Sequence, residues 1–272
     1  MNNLFDLTGR TAVVTGGSRG IGLMAARGLL QAGAAVIISS RKADACRRAC
    51  EELAGFGDIS AVPADLSTED ECRRLAAEVA LRHNAVHILV NNAGATWGAP
   101  LAEFPASAWD KVLDLNLKSP FYLARAFLPL LEQAADAADP ARIINIGSID
   151  GLSVPGLPTY AYSSSKAGLH HLTRVLAAEL GPRAITCNAI APGWFPSKMM
   201  AKTIEDRGQE FMARAPLGRV GGPDDIAGAV VYLGSRAARL RHRDRPPGRR
   251  WHHAHPLVGT TGWARRGRLG AW

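Results

Sequence analysis

The stretch Thr15-Gly16-Gly17-Ser18-Arg19-Gly20-Ile21-Gly22 decides the fold, because it joins a strand pattern to a helical one. A β-branched run at residues 11–15 precedes it, and apolar residues recur at helical spacing over residues 21–31. Glycines allow the backbone to turn tightly and approach a pyrophosphate, and the N-terminus of the following helix offers N–H groups to an anion. The stretch therefore predicts a nucleotide-binding turn, with contacts from Gly16, Ser18, Arg19, Gly20, Ile21 and Gly22.

Strand and helix patterns alternate beyond this turn. Further strands are predicted at residues 36–38, 61–62, 88–90, 142–146 and 185–190, and helices at about 43–53, 67–80, 107–131 and 161–180. Such alternation implies right-handed crossovers and a parallel sheet covered on both faces. We expect an α/β fold: a Rossmann-type doubly wound parallel sheet in one three-layer α/β/α domain over residues 1–235. Ligands of such sheets bind at the carboxyl ends of the strands.

Composition is that of an ordinary globular protein, with 47% hydrophobic and 21% charged residues among 272. No run of about 18 apolar residues and no signal-peptide pattern is present, so no membrane partner is expected. The cysteines are Cys46, Cys50, Cys72 and Cys187, and their spacing fits no metal site. We therefore expect a cytoplasmic protein without a bound metal.

The net charge of +8 is confined to the end of the chain. Residues 236–272 contain ten arginines and one acidic residue, Asp244, which leaves 22 basic and 23 acidic side chains before them. The predicted domain is thus nearly neutral, and a nucleic-acid partner is not expected.

A tyrosine and a lysine stand four residues apart in a predicted helix. Tyr162 and Lys166 share one helix face, and a neighbouring ammonium would lower the pKa of the phenol toward a useful acid–base range. Ser148 ends a predicted strand, where its hydroxyl could donate to a substrate oxygen. Tyr160 is the competing tyrosine, but Ser164 stands four residues after it. These residues predict proton transfer by Tyr162.

Together these motifs resemble the short-chain dehydrogenase/reductase family. The resemblance runs from about Leu4 to Leu233 and rests on Thr-Gly-x-x-x-Gly-x-Gly, on Asn-Asn-Ala-Gly at residues 91–94, and on Tyr-x-x-x-Lys. It implies hydride transfer between a nicotinamide and a carbonyl carbon, with catalytic residues Asn116, Ser148, Tyr162 and Lys166. In the family, the asparagine is thought to hold a proton-relay water, and the lysine also holds the nicotinamide ribose.

The residues after the second strand indicate which cofactor binds. An acidic residue would bind the ribose 2′-hydroxyl of NAD, but Ser40 and Arg41 stand there instead. Arg41 and Arg19 could converge on a 2′-phosphate, which suits the planar guanidinium donors. We therefore expect NADP(H). The resemblance adds further cofactor contacts: Asp65, Leu66, Asn92, Ala93, Gly94, Tyr162, Lys166, Pro192 and Gly193.

Large apolar residues predict the wall of the substrate site. Trp97, Trp194, Phe195, Met199 and Met200 favour a small-molecule ketone of apolar character, although each could equally pack in a core or an interface. The resemblance implies a substrate-capping loop at about 194–216. Within the family, the sequence looks like the 3-oxoacyl reductases associated with rhamnolipid synthesis. That resemblance suggests a 3-oxoacyl thioester as the substrate. The alternatives are oxidation of an alcohol or sugar alcohol, and an inactive nucleotide-binding scaffold.

Residues 236–272 depart from the family pattern. They lack its closing seventh strand, after Tyr-x-Thr-Gly and before Asp-Gly-Gly, and are rich in Arg, His, Pro and Gly. Residues 239–251 can be encoded by synonymous codons whose reading frame, shifted by one base, gives the family's usual C-terminal sequence. These codons show that such a shift is possible. We hypothesise a frameshift near residues 235–239 and a poorly ordered tail; resequencing that reveals no such frame would refute the shift. If the tail is tolerated, a homotetramer or homodimer is expected.

Overall fold

The computed structural model contains a seven-stranded sheet in which every neighbouring pair is parallel. It describes residues 4–196, 215 and 217–239, and the backbone of 257–258. The sheet order is β3-β2-β1-β4-β5-β6-β7. The strands are β1 (Thr11–Thr15), β2 (Ala35–Ser39), β3 (Ile59–Ala61), β4 (Ile88–Asn91), β5 (Ala141–Ile146), β6 (Ile185–Ala191) and β7 (Leu257–Val258).

Helices cover both faces of the sheet, which confirms the predicted doubly wound α/β fold. They are α1 (Gly20–Gln31), α2 (Ala43–Leu53), α3 (Glu69–Ala80), α4 (Ala106–Leu113), α5 (Ser119–Ala134), α6 (Tyr160–Leu180) and α7 (Pro223–Gly234). Apolar residues of α1, α2 and α7 form one buried cluster, and those of α3, α5 and α6 form the other. No helix in the described ranges is long and apolar enough to span a membrane.

The long helix predicted at 107–131 is interrupted. Asp114–Lys118 form one π-helical turn between α4 and α5, and Asn116 lies fully buried within it. A π turn inserts one extra residue into the helical repeat and often marks a functional position. Apolar periodicity alone did not reveal it, because the residues on either side keep a helical pattern.

The two edges of the sheet also differ from the prediction. The third strand begins at Ile59 rather than Ala61 and covers only three residues. The expectation that the sheet ends at the sixth strand is wrong, since Leu257 and Val258 pair with Ile190 and Ala191. Pairing at a free edge requires only extended backbone, so a strand-like side-chain pattern is unnecessary there. Residues 240–256 and 259–272 lie outside the described residues. The prediction that the tail is poorly ordered falls on them and stays a prediction.

A buried polar chain attaches α6 to the centre of the sheet. Asn91 Nδ2 donates to Asn145 Oδ1 at 2.9 Å, and Asn145 Nδ2 donates to Thr173 Oγ1 at 2.8 Å. These bonds link β4, β5 and α6, and fully buried amides require such partners. They hold the helix that carries Tyr162 and Lys166 against the carboxyl end of β5.

Candidate active site

A cavity of about 980 Å³ opens at the carboxyl ends of the strands, where the sheet order reverses between β1 and β4. The predicted cofactor-binding residues and the predicted catalytic residues line this one cavity. The glycine turn and α2 line one end, and the segments after β5 and β6 line the other together with the start of α6. Segments far apart in sequence therefore form a single binding space.

The glycine turn between β1 and α1 has the backbone that a phosphate site requires. Gly16 and Gly20 have φ of +65° and +56°, which glycine adopts without strain. A side chain at Gly22 would collide with the carbonyl oxygen of Gly16, so Gly22 allows the turn to pack against the helix. No side chain caps α1, and its first turn has no acidic residue. Its N-terminal N–H groups thus remain available to an anion.

Asn92 supports this turn from β4. Its Nδ2 donates to the carbonyl oxygens of Thr15 and Gly16 at 2.9 and 3.2 Å. The backbone N–H groups of Asn92 and Ala93 donate to Thr15 Oγ1 at 2.9 and 3.1 Å. The Asn-Asn-Ala-Gly motif therefore both lines the cavity and fixes the shape of the glycine turn.

A group of basic side chains, which we call the basic rim, borders the glycine-turn end of the cavity. It comprises Arg19, Arg41, Lys42 and Arg48. All four are exposed, and none has an ion pair within the described residues. Ser40 lines the same cavity, and its Oγ accepts from the Ser18 N–H at 3.4 Å. The basic rim therefore presents several hydrogen-bond donors to a phosphate. Ser40 stands where an NAD-binding protein would have a carboxylate.

Ser148 and Tyr162 meet at the other end of the cavity. Ser148 follows β5 and is buried, and its Oγ accepts from the Asp150 N–H at 3.1 Å. That bond leaves the hydroxyl hydrogen free to donate. The Ser148 hydroxyl is close enough to the Tyr162 hydroxyl to favour the phenolate and so oppose a rise in the pKa of the phenol. One oxygen atom of a ligand could accept from both hydroxyls.

Lys166 lies one helical turn after Tyr162 and is buried. Its Nζ donates to the Ile146 carbonyl oxygen at 2.7 Å and lies 5.7 Å from the centre of the Tyr162 ring. Burial lowers the pKa of Lys166 to about 8. The side chain is thus held at the floor of the cavity, between β5 and the phenol.

The expected lowering of the Tyr162 pKa is not found. Burial raises the pKa of Tyr162 to about 12, the hydrogen bond from Ser148 opposes that rise, and the charge of Asp150 adds to it. The same burial also disfavours the Lys166 ammonium. Desolvation therefore outweighs the neighbouring lysine, which the helical spacing could not indicate.

Asn116 lies behind the cavity rather than on its wall. Its Oδ1 accepts from the Ala95 N–H at 2.8 Å, and its Nδ2 donates to the Ala95 carbonyl at 2.9 Å and to Ser165 Oγ at 3.0 Å. Ser165 in turn donates to the Tyr162 carbonyl at 2.7 Å. One amide hydrogen therefore joins the π turn to α6 at Ser165, and the other joins it to Ala95 after β4.

Most of the predicted cofactor residues line the cavity, and two do not. Those on the wall are Gly16, Ser18, Arg19, Gly20, Ile21, Ser40, Arg41, Leu66, Asn92, Ala93, Gly94, Tyr162, Lys166, Pro192 and Gly193. Gly22 acts behind the turn, as described above. Asp65 is exposed and its carboxylate accepts from the Ser67 N–H at 3.3 Å, an arrangement that closes a turn before α3.

The predicted substrate wall is only partly assembled. Trp194 and Phe195 line the cavity, but Phe195 is also buried in the core cluster beside Gly221. Trp97 is 42% exposed and faces Lys111, whose Nζ lies 6.0 Å from the ring centre, so it does not line the cavity. Met199, Met200 and most of the predicted 194–216 loop lie outside the described residues.

The structure adds residues that the sequence analysis missed. Asp150 lines the cavity beside Ser148, and Lys42 and Arg48 extend the basic rim. His170 is buried two helical turns after Tyr162, with Nε2 3.1 Å from the Ser148 carbonyl oxygen. The i, i+4, i+8 spacing of Tyr162, Lys166 and His170 was a readable signal for the histidine.

The donor set fits a phosphorylated dinucleotide. The α1 N-terminus and the glycine turn match a pyrophosphate, and the basic rim matches a further phosphate at the same end. Tyr162 and Lys166 lie at the opposite end of the cavity, as a nicotinamide ribose would require. The arrangement can hold such a molecule along the strand ends while a carbonyl oxygen contacts Ser148 and Tyr162.

Known proteins are similar to this chain in sequence and in fold. The family described as short chain dehydrogenase matches residues 10–208. A rhamnolipids biosynthesis 3-oxoacyl-[acyl-carrier-protein] reductase of Pseudomonas aeruginosa is 48% identical over 239 residues, 87% of this chain and 93% of that protein. Galactitol 2-dehydrogenase of Rhizobium johnstonii is 36% identical over 241 residues, 87% and 92% of the two chains. The solved Pseudomonas aeruginosa RhlG/NADP active-site complex has a TM-score of 0.85 and 47% identity, covering 88% of this chain and 94% of that one.

Proposed function

The chain belongs to the short chain dehydrogenase family and is an oxidoreductase, and on that premise we propose that it reduces a 3-oxoacyl thioester or similar apolar ketone with NADPH. The observation that carries this proposal is the convergence of Ser148, Tyr162 and Lys166 on one cavity with the glycine turn and the basic rim. The substrate class is supported by the 48% identity to a 3-oxoacyl reductase over most of both chains.

The proposed chemistry is one hydride and one proton added to a ketone. The cofactor that the glycine turn and the basic rim would hold, NADPH, would supply that hydride and become NADP⁺. Tyr162 donates its hydroxyl proton to the carbonyl oxygen, so that a secondary alcohol forms and solvent reprotonates the phenolate. A pKa of about 12 keeps the phenol protonated at neutral pH, which suits a proton donor.

Ser148 and Lys166 support this proton transfer in the proposal. Ser148 donates to the same carbonyl oxygen and stabilises the negative charge that develops there, since its own Oγ is oriented by the Asp150 N–H. Lys166 would hold the hydroxyls of the nicotinamide ribose, and it carries positive charge close to the phenol. Asn116 acts as a positioning residue through Ala95 and Ser165, and the relay water that the family resemblance implies for it stays a prediction.

The protein should oxidise NADPH fastest when a 3-oxoacyl thioester is the substrate. We would compare kcat/KM for acetoacetyl-CoA, a simple ketone and a keto-sugar, and expect the thioester value to exceed the others at least about tenfold, the effect of roughly 1.4 kcal/mol of additional transition-state binding. A preference for the keto-sugar would favour the sugar-alcohol alternative, to which the 36% identity to galactitol 2-dehydrogenase points. No turnover in a folded sample that binds NADPH would contradict the proposal.

Removing the predicted phosphate-binding arginines should weaken NADPH selectively. Arg19→Ala and Arg41→Ala should each raise the KM for NADPH about tenfold and leave the KM for NADH nearly unchanged, because a charged hydrogen bond at an exposed site contributes roughly 1.5 kcal/mol. Arg48→Ala tests the rim residue that the structure adds. Arg47→Ala is the matched control, since Arg47 is also on α2 but pairs with Asp44 at 3.2 Å. Equal effects on both cofactors would refute the assignment to a 2′-phosphate.

Cytoplasmic location and homo-oligomeric assembly stay predictions from the sequence. The free state of Cys46, Cys50, Cys72 and Cys187 supports a reducing compartment. Assembly depends on residues 236–272, most of which lie outside the described part of the chain, and the measured molecular mass in solution would test it.

A further inference from the structure

A carboxylate stands beside the reacting groups of the proposed site. Asp150 lies in a short 3-10 turn, Ile149–Gly151, directly after Ser148, and it lines the same cavity. The turn is tightly packed on α6, since a Cβ at Gly151 would lie 2.6 Å from the Lys166 backbone carbonyl carbon. Asp150 also orients Ser148 through its backbone N–H. Its position is therefore fixed relative to the atom that would bind the substrate oxygen.

The Asp150 carboxylate has no hydrogen bond or ion pair with any residue in the described ranges. Burial raises its pKa, and its negative charge in turn raises the pKa of Tyr162. The charge therefore acts on the phenol and is not neutralised by an arginine, unlike Asp139 or Asp225, which pair with Arg142 and Arg219. An unpaired carboxylate in a partly desolvated cavity affects whatever charge a substrate brings there.

The other titratable groups around Tyr162 are engaged elsewhere. Lys166 comes from α6, and its Nζ donates to the Ile146 carbonyl oxygen. His170, on the same helix, has its Nε2 at the Ser148 carbonyl, and burial lowers its pKa, so that its neutral form is favoured. Neither group forms an ion pair with Asp150 in the described structure. Asp150 is thus the group that gives the substrate end of the cavity a negative charge.

We propose that Asp150 is a specificity-determining residue, which excludes substrates with a carboxylate two carbons from the reacting carbonyl and restricts the site to ketones that carry no negative charge so close to that carbonyl. In a 3-oxo acid, the carboxylate is only two carbons from the ketone. Bound with its ketone oxygen at Ser148, such a substrate brings two negative charges close together in a cavity of reduced dielectric. Converting that carboxylate to an ester or thioester removes the repulsion. This inference deepens the proposed function, on which it rests, by assigning a residue to the choice of acyl thioesters over free 3-oxo acids.

A matched pair of substrates tests the inference. Acetoacetate and methyl acetoacetate differ in one charge, and the quantity to measure is the ratio of their kcat/KM values, ester over acid, at pH 8. Because a ratio is used, a general loss of activity in a variant cancels. We expect Asp150→Asn, which keeps the size of the side chain and the backbone bond to Ser148, to lower the ratio at least about tenfold. Glu103→Gln removes a charge from an exposed turn outside the cavity and should leave the ratio unchanged.

A second measurement separates charge from packing. In the wild type, the ratio should fall as the pH is lowered through the titration of Asp150, and this fall should begin at a higher pH than the one that the titration of acetoacetate itself causes in Asp150→Asn. A purely structural role would leave the pH profile of the ratio unmoved. Should Asp150→Asn lack turnover, Asp150→Ser is a second variant that removes the charge. Calorimetry of 3-hydroxybutyrate and its methyl ester would then give the ratio of their binding constants, ester over acid, which needs no catalysis.

The outcomes separate the inference from the function beneath it. An active wild type whose ratio is the same in Asp150→Asn, or which prefers the acid, overturns the role of Asp150 alone. A wild type that binds NADPH but reduces neither acetoacetyl-CoA nor the two acetoacetates overturns the proposed function and this inference together. A tenfold fall in the ratio, with an unchanged ratio in Glu103→Gln, supports both.

Discussion

Replacing Tyr162 with phenylalanine should lower kcat by roughly 10²–10⁴-fold, because the variant keeps the ring but loses the proton donor. The phenol lies on the cavity wall and interacts there with the Ser148 hydroxyl. The pyrophosphate and rim contacts are formed by other segments, so NADPH affinity should change little. Stopped-flow NADPH oxidation and fluorescence titration of the cofactor measure the two effects separately.

Tyr160→Phe is the control for this substitution. Tyr160 begins the same helix two residues earlier, is 38% exposed, and packs edge-on against Phe104 at 5.6 Å between ring centres. Loss of its hydroxyl should leave kcat within about twofold. Turnover retained in Tyr162→Phe, or lost equally in Tyr160→Phe, would contradict the assignment of the proton donor.

Replacing Lys166 with methionine should abolish most activity and yet stabilise the fold at neutral pH. Lys166 is 4% exposed, and burial lowers its pKa to about 8 from 10.5. Burying its charge therefore costs the folded state on the order of 3 kcal/mol, at 1.36 kcal/mol for each pH unit between the two pKa values. Methionine fills a similar volume without that cost. Activity should fall because the ribose contact and the charge near Tyr162 are both lost.

The pH dependence of this stabilisation has a defined sign. Below pH 8, lysine is protonated in the folded and unfolded states, and the folded wild type bears the full cost. Between about pH 8 and 10.5 the unfolded chain binds more protons, so the free energy of unfolding of the wild type rises with pH relative to that of the variant. We expect the advantage of Lys166→Met to be largest at pH 6 and to shrink by pH 10. Urea unfolding at both pH values measures it.

Lys118→Met provides the comparison for stability. Lys118 lies on the exposed end of the π turn and pairs with Asp114 at 2.7 Å, which raises its pKa. Its removal should give no stabilisation at pH 6. A Lys166→Met variant no more stable than wild type at pH 6 would show that the buried ammonium is compensated in solution.

Local regularities made most of the fold readable from the sequence. Strand and helix patterns depend on residues near one another in the chain, so the alternation from Thr11 to Ala191 predicted the parallel sheet and its two helical layers. The glycine turn was readable because only glycine suits the backbone at Gly16 and Gly20. Tyr162 and Lys166 were identified as neighbours by helical spacing alone.

Features that depend on distant partners were not readable. The π turn at Asp114–Lys118 keeps an apolar pattern on both sides, and the pairing of Leu257–Val258 with β6 depends on an edge formed elsewhere. Asp65 and Trp97 match the family pattern in sequence but face solvent and Lys111 respectively. Spacing along the chain does not indicate which side of a loop faces the cavity.

The sequence by itself determined the order of elements, the phosphate-binding turn and the residue types available for proton transfer, since each follows from backbone geometry or helical repeat. Only the tertiary structure decided how those residues behave. Packing from β5 and α6 buries Tyr162 and Lys166 together, and the desolvation raises one pKa and lowers the other. The same packing consumes the amide of Asn116 and leaves the carboxylate of Asp150 unpaired in the cavity. Burial and hydrogen-bond partners come from segments far apart in the chain, and they set the chemistry of the site.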